Sequence, residues 1–431
     1  MKEIVLLGGV RTPFLKSGTL ARDISAQELG RQVLVALFNK YPVKPGEVDE
    51  VIFGCVAQPV EAANIARVVS INAGIPLSVP SFTVQRNCAS SMQSVSSAID
   101  MILAGRAEMV VAGGTESLSN SPLIYNREFT RFFGRMSHAR TRFQKLKVLA
   151  SFRPSMLKPR IGLLEGLTDP TCGMIMGRTA EVLARDLGIT RHQQDAYALS
   201  SHHKALAARK SGRFAMEISP LYIPPKFNPV TDDNGIHEDE PEEMLARLHP
   251  AFDRAHGTVT AGNSSQITDG AVALLITTMD RARAMGLKPL ARIVGHAFAG
   301  LEPQRMGLGP VAAMAKLLPK LGLNLSDMKL VEINEAFAAQ VLACLQVAGS
   351  DRLMADRFGI SKALGDINPE ILNVNGGAIA LGHPVGSSGG RLLLTLAVEM
   401  GVRKLQRGLA SLCVGGGQGA AFVLERTEQT Q

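Results

Sequence analysis

Two hydrophobic periods take turns along this chain. Short apolar runs at Ile4–Gly8, Val51–Gly54 and Met109–Gly113 read as strands, and apolar residues three and four apart over Ala26–Phe38 and Ala62–Ala73 read as helices. Between them, Phe82 and Val84 alternate with polar neighbours as in a half-buried strand, and Met92, Val95, Ile99 and Ile102 then recur at helical spacing up to Gly105. The first 119 residues therefore form a βα series, which points to a largely parallel sheet covered on both faces.

From about Asn120 to Gly257 the pattern breaks into basic, helical, proline-punctuated sequence that reads as an insertion. Leu183–Arg209 is its clearest helical stretch, with Arg191–His203 expected as an exposed face and the adjacent His202 and His203 as structural residues pointing in different directions. The buried run Ala271–Ile276 returns the chain to a sheet, and a second series starts near Leu290. Its strands are expected at Ala291–Gly295, Leu330–Ile333, Ile371–Asn375, Leu409–Cys413 and Ala420–Leu424, with helices at Val311–Leu321 and Leu392–Met400. This order echoes the first half, so the chain reads as a diverged repeat. The expected division is 1–119 with 258–287, an insertion over 120–257, and 288–431.

At 431 residues, 46% hydrophobic and 19% charged, the chain is long enough for two or three domains with real cores. No apolar run is long enough to span a bilayer, and the N-terminus reads as a first strand rather than a signal peptide, so a cytoplasmic location is expected. Cys55, Cys88, Cys172, Cys344 and Cys413 are an odd, widely spaced set without a Cys-x-x-Cys pair or histidines at ligand spacing. That argues against a disulfide framework and against a zinc site. The net charge of +8 has a local origin: between Asn126 and Arg160 ten Lys or Arg residues face one acid, Glu128, and the remainder is close to neutral. A nucleic-acid surface is therefore not expected. Because Phe129, Phe132, Phe133, Phe143, Leu146 and Phe152 interleave those cations, the 127–160 segment suits an anionic membrane, a protein partner or a solvated face.

Candidate chemistry gathers at two strand-to-helix junctions. Cys88 sits at the first, where free backbone N–H groups and the helix dipole favour thiolate and are expected to lower its pKa from about 8.5. The competing reading of such a cysteine is a small buried hydrophobe. His383 occupies the corresponding place in the second half, and packing of the halves about a pseudo-twofold axis would bring the two junctions together. The cluster Gly415-Gly-Gly-Gln-Gly419 leads into a strand rather than a helix, which excludes a dinucleotide fingerprint.

Four segments occur together: Asn87-Cys-Ala-Ser-Ser91, Asn334-Glu-Ala-Phe-Ala338, Gly376-Gly-Ala-Ile-Ala-Leu-Gly-His-Pro-Val-Gly386 and Cys413-Val-Gly-Gly-Gly-Gln-Gly419. With Val10-Arg-Thr-Pro-Phe14 and Gly257-Thr-Val-Thr-Ala-Gly-Asn263, they make the chain resemble the thiolase family over essentially its whole length. The resemblance implies an α/β thiolase fold, two βα-repeat halves in a layered α-β-α-β-α core with a helical and loop insertion. It implies CoA-dependent cleavage of 3-ketoacyl-CoA, or the reverse Claisen condensation, through an acyl group on Cys88. His383 would be the base, Cys413 the second acid/base, and Asn334, through a held water, would support the enolate oxygen with His383. The backbone N–H groups of Cys88 and Gly415 would hold the adduct oxygen. Ser265, Met176 and Arg178 are the implied CoA contacts; CoA is a substrate, no permanently bound cofactor or metal is implied, and a homodimer or dimer of dimers is expected. The insertion, with Gln144-Lys-Leu-Lys147, resembles thiolase subunits of trifunctional fatty-acid oxidation complexes, which work beside hydratase and dehydrogenase activities on longer chains. Against that, Asn334-Glu335 resembles the short-chain and degradative thiolases. The acidic run Glu238–Glu243 stands where a basic residue often meets the CoA nucleotide, which makes Arg178 or the 127–160 cluster the alternative contact. Ile175 replaces the histidine that many short-chain members carry before the methionine. Related decarboxylating synthases share the fold but use two histidines where this chain offers His383 and Cys413, and a non-catalytic acyl-CoA-binding relative would not need all four residues.

Overall fold

The structure is a computed structural model that describes residues 2–238 and 242–427. Asp239, Glu240 and Pro241 of the acidic run lie outside the described residues.

The elements that matter for the site are, in order, β1 (Ile4–Arg11), α1 (Ala26–Lys40), β2 (Glu50–Gly54), α2 (Ile65–Asn72), β3 (Ser81–Val84), α3 (Ser90–Leu103) and β4 (Met109–Glu116). The insertion contributes α4 (Arg127–His138), α5 (Arg142–Leu149), α6 (Met176–Leu187) and α7 (Arg191–Lys210). Then follow β5 (Thr268–Thr278), β6 (Ala291–Gly300), α8 (Gly309–Leu321), β7 (Leu330–Ile333), α9 (Ala338–Ala348), α10 (Val385–Arg403), β8 (Arg407–Val414) and β9 (Gln418–Glu425). The strand order is β7-β8-β9-β6-β1-β5-β4-β2-β3; outward from the centre each half runs first strand, last strand, next to last and second, and β3 extends the first half alone. The halves meet where β1 and β6 pair antiparallel over two residues, Val5 and Leu6 against Arg292 and Ala291.

Side-chain alternation builds five layers from this arrangement. Along β5, Ala271, Ala273 and Leu275 turn outward onto α1 and α2, while Val272, Leu274 and Ile276 turn inward onto α3 and α10. In β9, Ala420, Phe422 and Leu424 face the same central helices, and Ala421 and Val423 face the layer containing α8 and α9. Two sheet faces thus share one helical filling, giving the α-β-α-β-α order.

Several sequence expectations are corrected. The sheet is mixed: β2 pairs parallel with β3 and β4, and β7 with β8, but β1, β5, β6 and β9 all enter antiparallel pairs. A parallel partner needs a crossover of a dozen residues or more, and the Gly415–Gly417 turn between β8 and β9 is too short for one. Leu183–Arg209 is two helices, because Gly188 takes a left-handed conformation that ends α6 and Thr190 with Gln193 forms a capping box that starts α7. The supposedly exposed face of α7 is partly buried: Gln194, Asp195, Ala198, Ser201 and His202 turn into the protein. Ile371–Asn375 forms no strand; only Leu372 makes a parallel bridge, to Val331 of β7. β3 is a short edge strand, half-buried as expected at Ser81, Thr83 and Val84, but with Phe82 on the surface.

The insertion is fastened to both halves by buried ion pairs. Arg11, at the end of β1, makes a bidentate pair with Asp233 at 2.7 and 2.8 Å and bonds Glu217 at 2.9 Å, all three without exposed side chain. Arg213 pairs with Glu399 and donates to the Thr395 carbonyl of α10. The basic segment is a separate hairpin, closed at its base by Leu123–Ile124 paired with Arg160–Ile161. Phe132 is its small core, stacked near Phe129 and Phe152, whereas Phe133, Phe143, Leu146 and Leu149 are exposed. No helix among the described residues is long and apolar enough to cross a membrane.

Candidate active site

Cys88 lies in a tight turn two residues ahead of α3, not within its first helical turn. Asn87 holds that turn with φ +43°, a conformation that asparagine tolerates better than most residues. Its side-chain amide donates 2.8 Å to the Gly415 carbonyl, so the turn of the first half is bonded to the glycine loop of the second. The backbone N–H groups of Gly415 and of Cys88 itself face the Cys88 sulfur and favour the thiolate. Burial outweighs them and pushes the thiol up to about 11, which corrects the expectation of a lowered pKa. In the resting site Cys88 is therefore a thiol that needs a base.

Cys413 ends β8 opposite Gly419. Burial first, then its neighbours Cys88 and Cys344, hold its thiol well above the ordinary range, so it rests protonated as a proton donor. A β-carbon at Gly415 would sit 3.2 Å from the Met176 sulfur at the start of α6. Met176 thus forms one wall beside the glycine loop. Asp169 accepts from the N–H of Gly416 and braces the same loop from the insertion.

His383 is buried, and its backbone N–H donates to the Gln266 carbonyl at 3.1 Å. Ring Nδ1 lies 2.6 Å from Ser388 Oγ, whose own hydroxyl reaches the Pro384 carbonyl at 3.0 Å. The hydroxyl proton is committed to that carbonyl, so Nδ1 carries the ring proton and Nε2 keeps the lone pair. Nε2 has no hydrogen-bond partner among the described residues. Burial, and then the Arg391 charge, lower this imidazole to about 4, leaving it neutral at neutral pH.

Asn334 follows β7 and bonds its backbone N–H to Ser411, two residues before Cys413. Its side chain is wholly buried, yet both amide atoms lack a partner among the described residues. A buried, uncommitted amide costs several kcal/mol in general unless water or a ligand satisfies it. Next to it, Glu335 is saturated: it accepts from Ser201 at 2.6 Å, Asn373 at 2.9 Å, Tyr197 at 3.0 Å and the Ile379 N–H at 3.2 Å. The two residues have opposite circumstances, one locked and one available.

The two junctions do meet. Gly390 N–H of α10 donates to Ser91 Oγ of α3 at 2.8 Å, so helix starts that follow His383 and Cys88 pack directly. Ser265 joins the assembly through its N–H to the Ala336 carbonyl at 2.9 Å. Arg178 stays outside, exposed on α6, with Nε 3.4 Å from the Phe252 carbonyl. Sequence reasoning did not find Ser388, Asn87 as a cross-link, Asp169 or Glu335 as a brace. Only Ser388 carried a local signal, since i to i+5 spacing across a helix start lets a hydroxyl reach the preceding ring. Among the described residues no group of three or more His, Cys, Asp or Glu could hold a metal ion.

Comparison with known proteins agrees with this geometry. Residues 4–280 match the family model for the thiolase N-terminal domain and residues 287–426 that for the thiolase C-terminal domain. A 3-ketoacyl-CoA thiolase of Pectobacterium carotovorum is 39% identical over 426 residues, 99% of this chain and 97% of that protein. An acetyl-CoA acetyltransferase of Syntrophomonas wolfei is 41% identical over 430 residues, covering 98% and 99%. Among solved structures, the Bacillus anthracis acetyl-CoA acetyltransferase superposes with a TM-score of 0.87 at 38% identity, over 99% of both chains. Human mitochondrial 3-ketoacyl-CoA thiolase in complex with CoA gives 0.85 at 35% identity, over 99% and 98%. Matched in both halves and alike from end to end to proteins of that name, this chain belongs to the thiolase family.

Proposed function

We propose that the protein is an acetyl-CoA C-acyltransferase that cleaves 3-ketoacyl-CoA with CoA into acetyl-CoA and a shortened acyl-CoA, or runs the reverse condensation. The observation that carries this reading is that a protonated, N–H-flanked Cys88 neighbours Cys413 while the buried His383 Nε2 and Asn334 amide are left uncommitted. His383 Nε2 takes the Cys88 proton as sulfur attacks the ketone carbon, and the Cys88 and Gly415 N–H groups hold the oxyanion that forms. The carbon–carbon bond then breaks, leaving the acyl group on sulfur and an acetyl-CoA enolate. His383 and a water on Asn334 support the enolate oxygen, and Cys413 protonates its carbon. In the second half, the site's base takes the proton of CoA–SH, whose sulfur attacks the acyl-Cys88 thioester and frees Cys88. Met176, Ser265 and, from outside, Arg178 are proposed to contact CoA.

Incubation with acetyl-CoA followed by intact-mass measurement tests the reading. The wild type should gain one acetyl group and Cys88→Ala none; no adduct and no thiolysis at any chain length would overturn it. Substrates of broad chain length and a place in fatty-acid β-oxidation are proposed, supported by relatives named 3-ketoacyl-CoA thiolase. Confinement to the four-carbon substrate is the alternative, supported by relatives named acetyl-CoA acetyltransferase, and a thiolysis series from short to long chains separates the two.

The proposed organisation keeps 1–119 with 258–287 and 288–431 as the catalytic halves and 120–257 as the CoA-binding insertion. A homodimer, or a dimer of dimers, is supported by the open edge of β3. A cytoplasmic setting is supported by five cysteines that are all free. For the 127–160 hairpin we propose peripheral contact with an anionic membrane, since exposed Phe133, Phe143 and Leu146 stand among its cations; a hydratase/dehydrogenase subunit is the other candidate partner. Exchanging Arg140, Arg142, Lys145 and Lys147 for glutamate should abolish sedimentation with anionic vesicles and leave short-chain turnover unchanged. Unaltered sedimentation would sink the membrane proposal.

A further inference from the structure

Some buried carboxylates in this protein face a guanidinium: Asp233 and Glu217 face Arg11, Glu399 faces Arg213, Glu332 faces Arg391 and Asp195 faces Arg191. Glu116, at the end of β4, is held by other donors. Its oxygens accept from the backbone N–H groups of Gly386 at 2.7 Å, Ala57 at 2.8 Å and Val56 at 3.1 Å, with the Cys55 thiol at 3.7 Å, and among the described residues it has no ion pair. Those donors come from two places. Gly386 lies in the first turn of α10, three residues after His383, and the close approach there is of backbone to backbone: a β-carbon on Gly114 would lie 2.1 Å from the Gly386 carbonyl. Val56 and Ala57 follow β2, whose last residue, Gly54, leaves no room for a β-carbon against Ser90 at the start of α3, two residues after Cys88. One carboxylate therefore binds, at once, the turn that carries His383 and the loop that seats the Cys88 helix.

We propose that Glu116 is a positioning residue for the thiolase reaction, fixing the His383 turn relative to Cys88 and opposing negative charge on the Cys88 sulfur. This rests on the reading of Cys88 as nucleophile and His383 as its base. The charge effect agrees with that placement: burial first and Glu116 last raise the Cys88 thiol, while burial raises Glu116 itself to about 7 against the pull of its N–H donors. The titratable groups facing it are Cys55 from the loop after β2 and Cys88 from the turn before α3. α10 offers it backbone N–H only, the Arg391 guanidinium being turned to Glu332.

The test combines Glu116→Gln and Glu116→Asp with two readouts, steady-state thiolysis and the pH dependence of Cys88 alkylation by iodoacetamide. Glu116→Gln removes the charge, so the alkylation midpoint should move to lower pH by about half a unit or more, and kcat should fall about 10- to 100-fold with KM for CoA within twofold. Glu116→Asp keeps the charge and shortens the reach, so kcat should fall comparably while the midpoint stays put. An alkylation profile unmoved in Glu116→Gln would overturn the proposal, whatever happens to the melting temperature, as would kcat within twofold of wild type in both variants. If Glu116→Gln does not fold, kcat within twofold in Glu116→Asp overturns it and a larger fall supports it. A wild type in which Cys88 takes no acetyl group would instead overturn the underlying reading.

Discussion

His383 and Cys88 are both shifted away from the charged state, and the direction matters more than either value. A neutral imidazole with an uncommitted Nε2 and a thiol near 11 are, on the proposed reading, a base waiting for an acid, rather than a preformed thiolate–imidazolium pair. The expected pH profile follows: kcat/KM for thiolysis should show no acid limb near the ordinary histidine value of about 6.5, because His383 stays neutral well below it. A limb near about 6.5 would contradict the lowered His383 value. Stability carries the same sign. The folded-state pKa lies below the unfolded one, so between about 6.5 and 4 the unfolded chain binds the extra proton and stability falls as pH falls. Comparing wild type with His383→Asn by urea unfolding at pH 7 and pH 5, the wild type should lose more, by roughly 2 kcal/mol over that interval. For Asn334→Ala the expected loss is about 100- to 1,000-fold in kcat, the scale of one oxyanion-site donor. Much of this neighbourhood was legible as motif: Cys88, Gly415 and Cys413 are neighbours in the structure, and each sat in a short distinctive segment. The Cys88 pKa was misread because a sequence shows helix starts but not the burial that outweighs them.

At the level of elements, legibility followed periodicity. β5 and β9 could be placed because their apolar runs are unbroken, both faces being covered by apolar layers. What failed were features decided by a single residue or by a distant partner. Gly188 splits a helical pattern that composition alone runs together, and Ile371–Asn375 has strand-like residues but no ladder to join beyond Leu372. The exposed look of α7 misled because its polar side chains are spent inward, with Tyr197 and Ser201 serving Glu335. The contact of β4 with α10 gives a direct element-scale expectation. Gly114→Ala would force a methyl into the Gly386 carbonyl, backbone against backbone, and should cost at least about 3 kcal/mol by overpacking. Chemical unfolding would show it, and a shift under 1 kcal/mol would mean that α10 can slide.

Across the whole molecule, the insertion is tied to each half by a buried guanidinium. Breaking one partner strands a charge in the interior, so Arg11→Ala should destabilise the protein by about 3 to 5 kcal/mol, seen as a fall in melting temperature. A methionine at that position, which equally leaves Asp233 without its ion pair and Glu217 with Arg213 alone, should be no better. Sequence reading singled out Arg11 only as part of a motif; its partners lie more than two hundred residues away and left no local trace.

The placement of β1 at the middle of the strand order has a consequence for synthesis on the ribosome. Its two neighbours are β5, residues 268–278, and β6, residues 291–300, so the first strand to leave the exit tunnel has nothing to pair with until almost two thirds of the chain has been made. At about 5 to 20 residues per second that interval is roughly fifteen to fifty seconds, during which an apolar strand waits unprotected. Nascent chains stalled before residue 268 should therefore engage chaperones through residues 4–11, and chains stalled beyond residue 300 should release them.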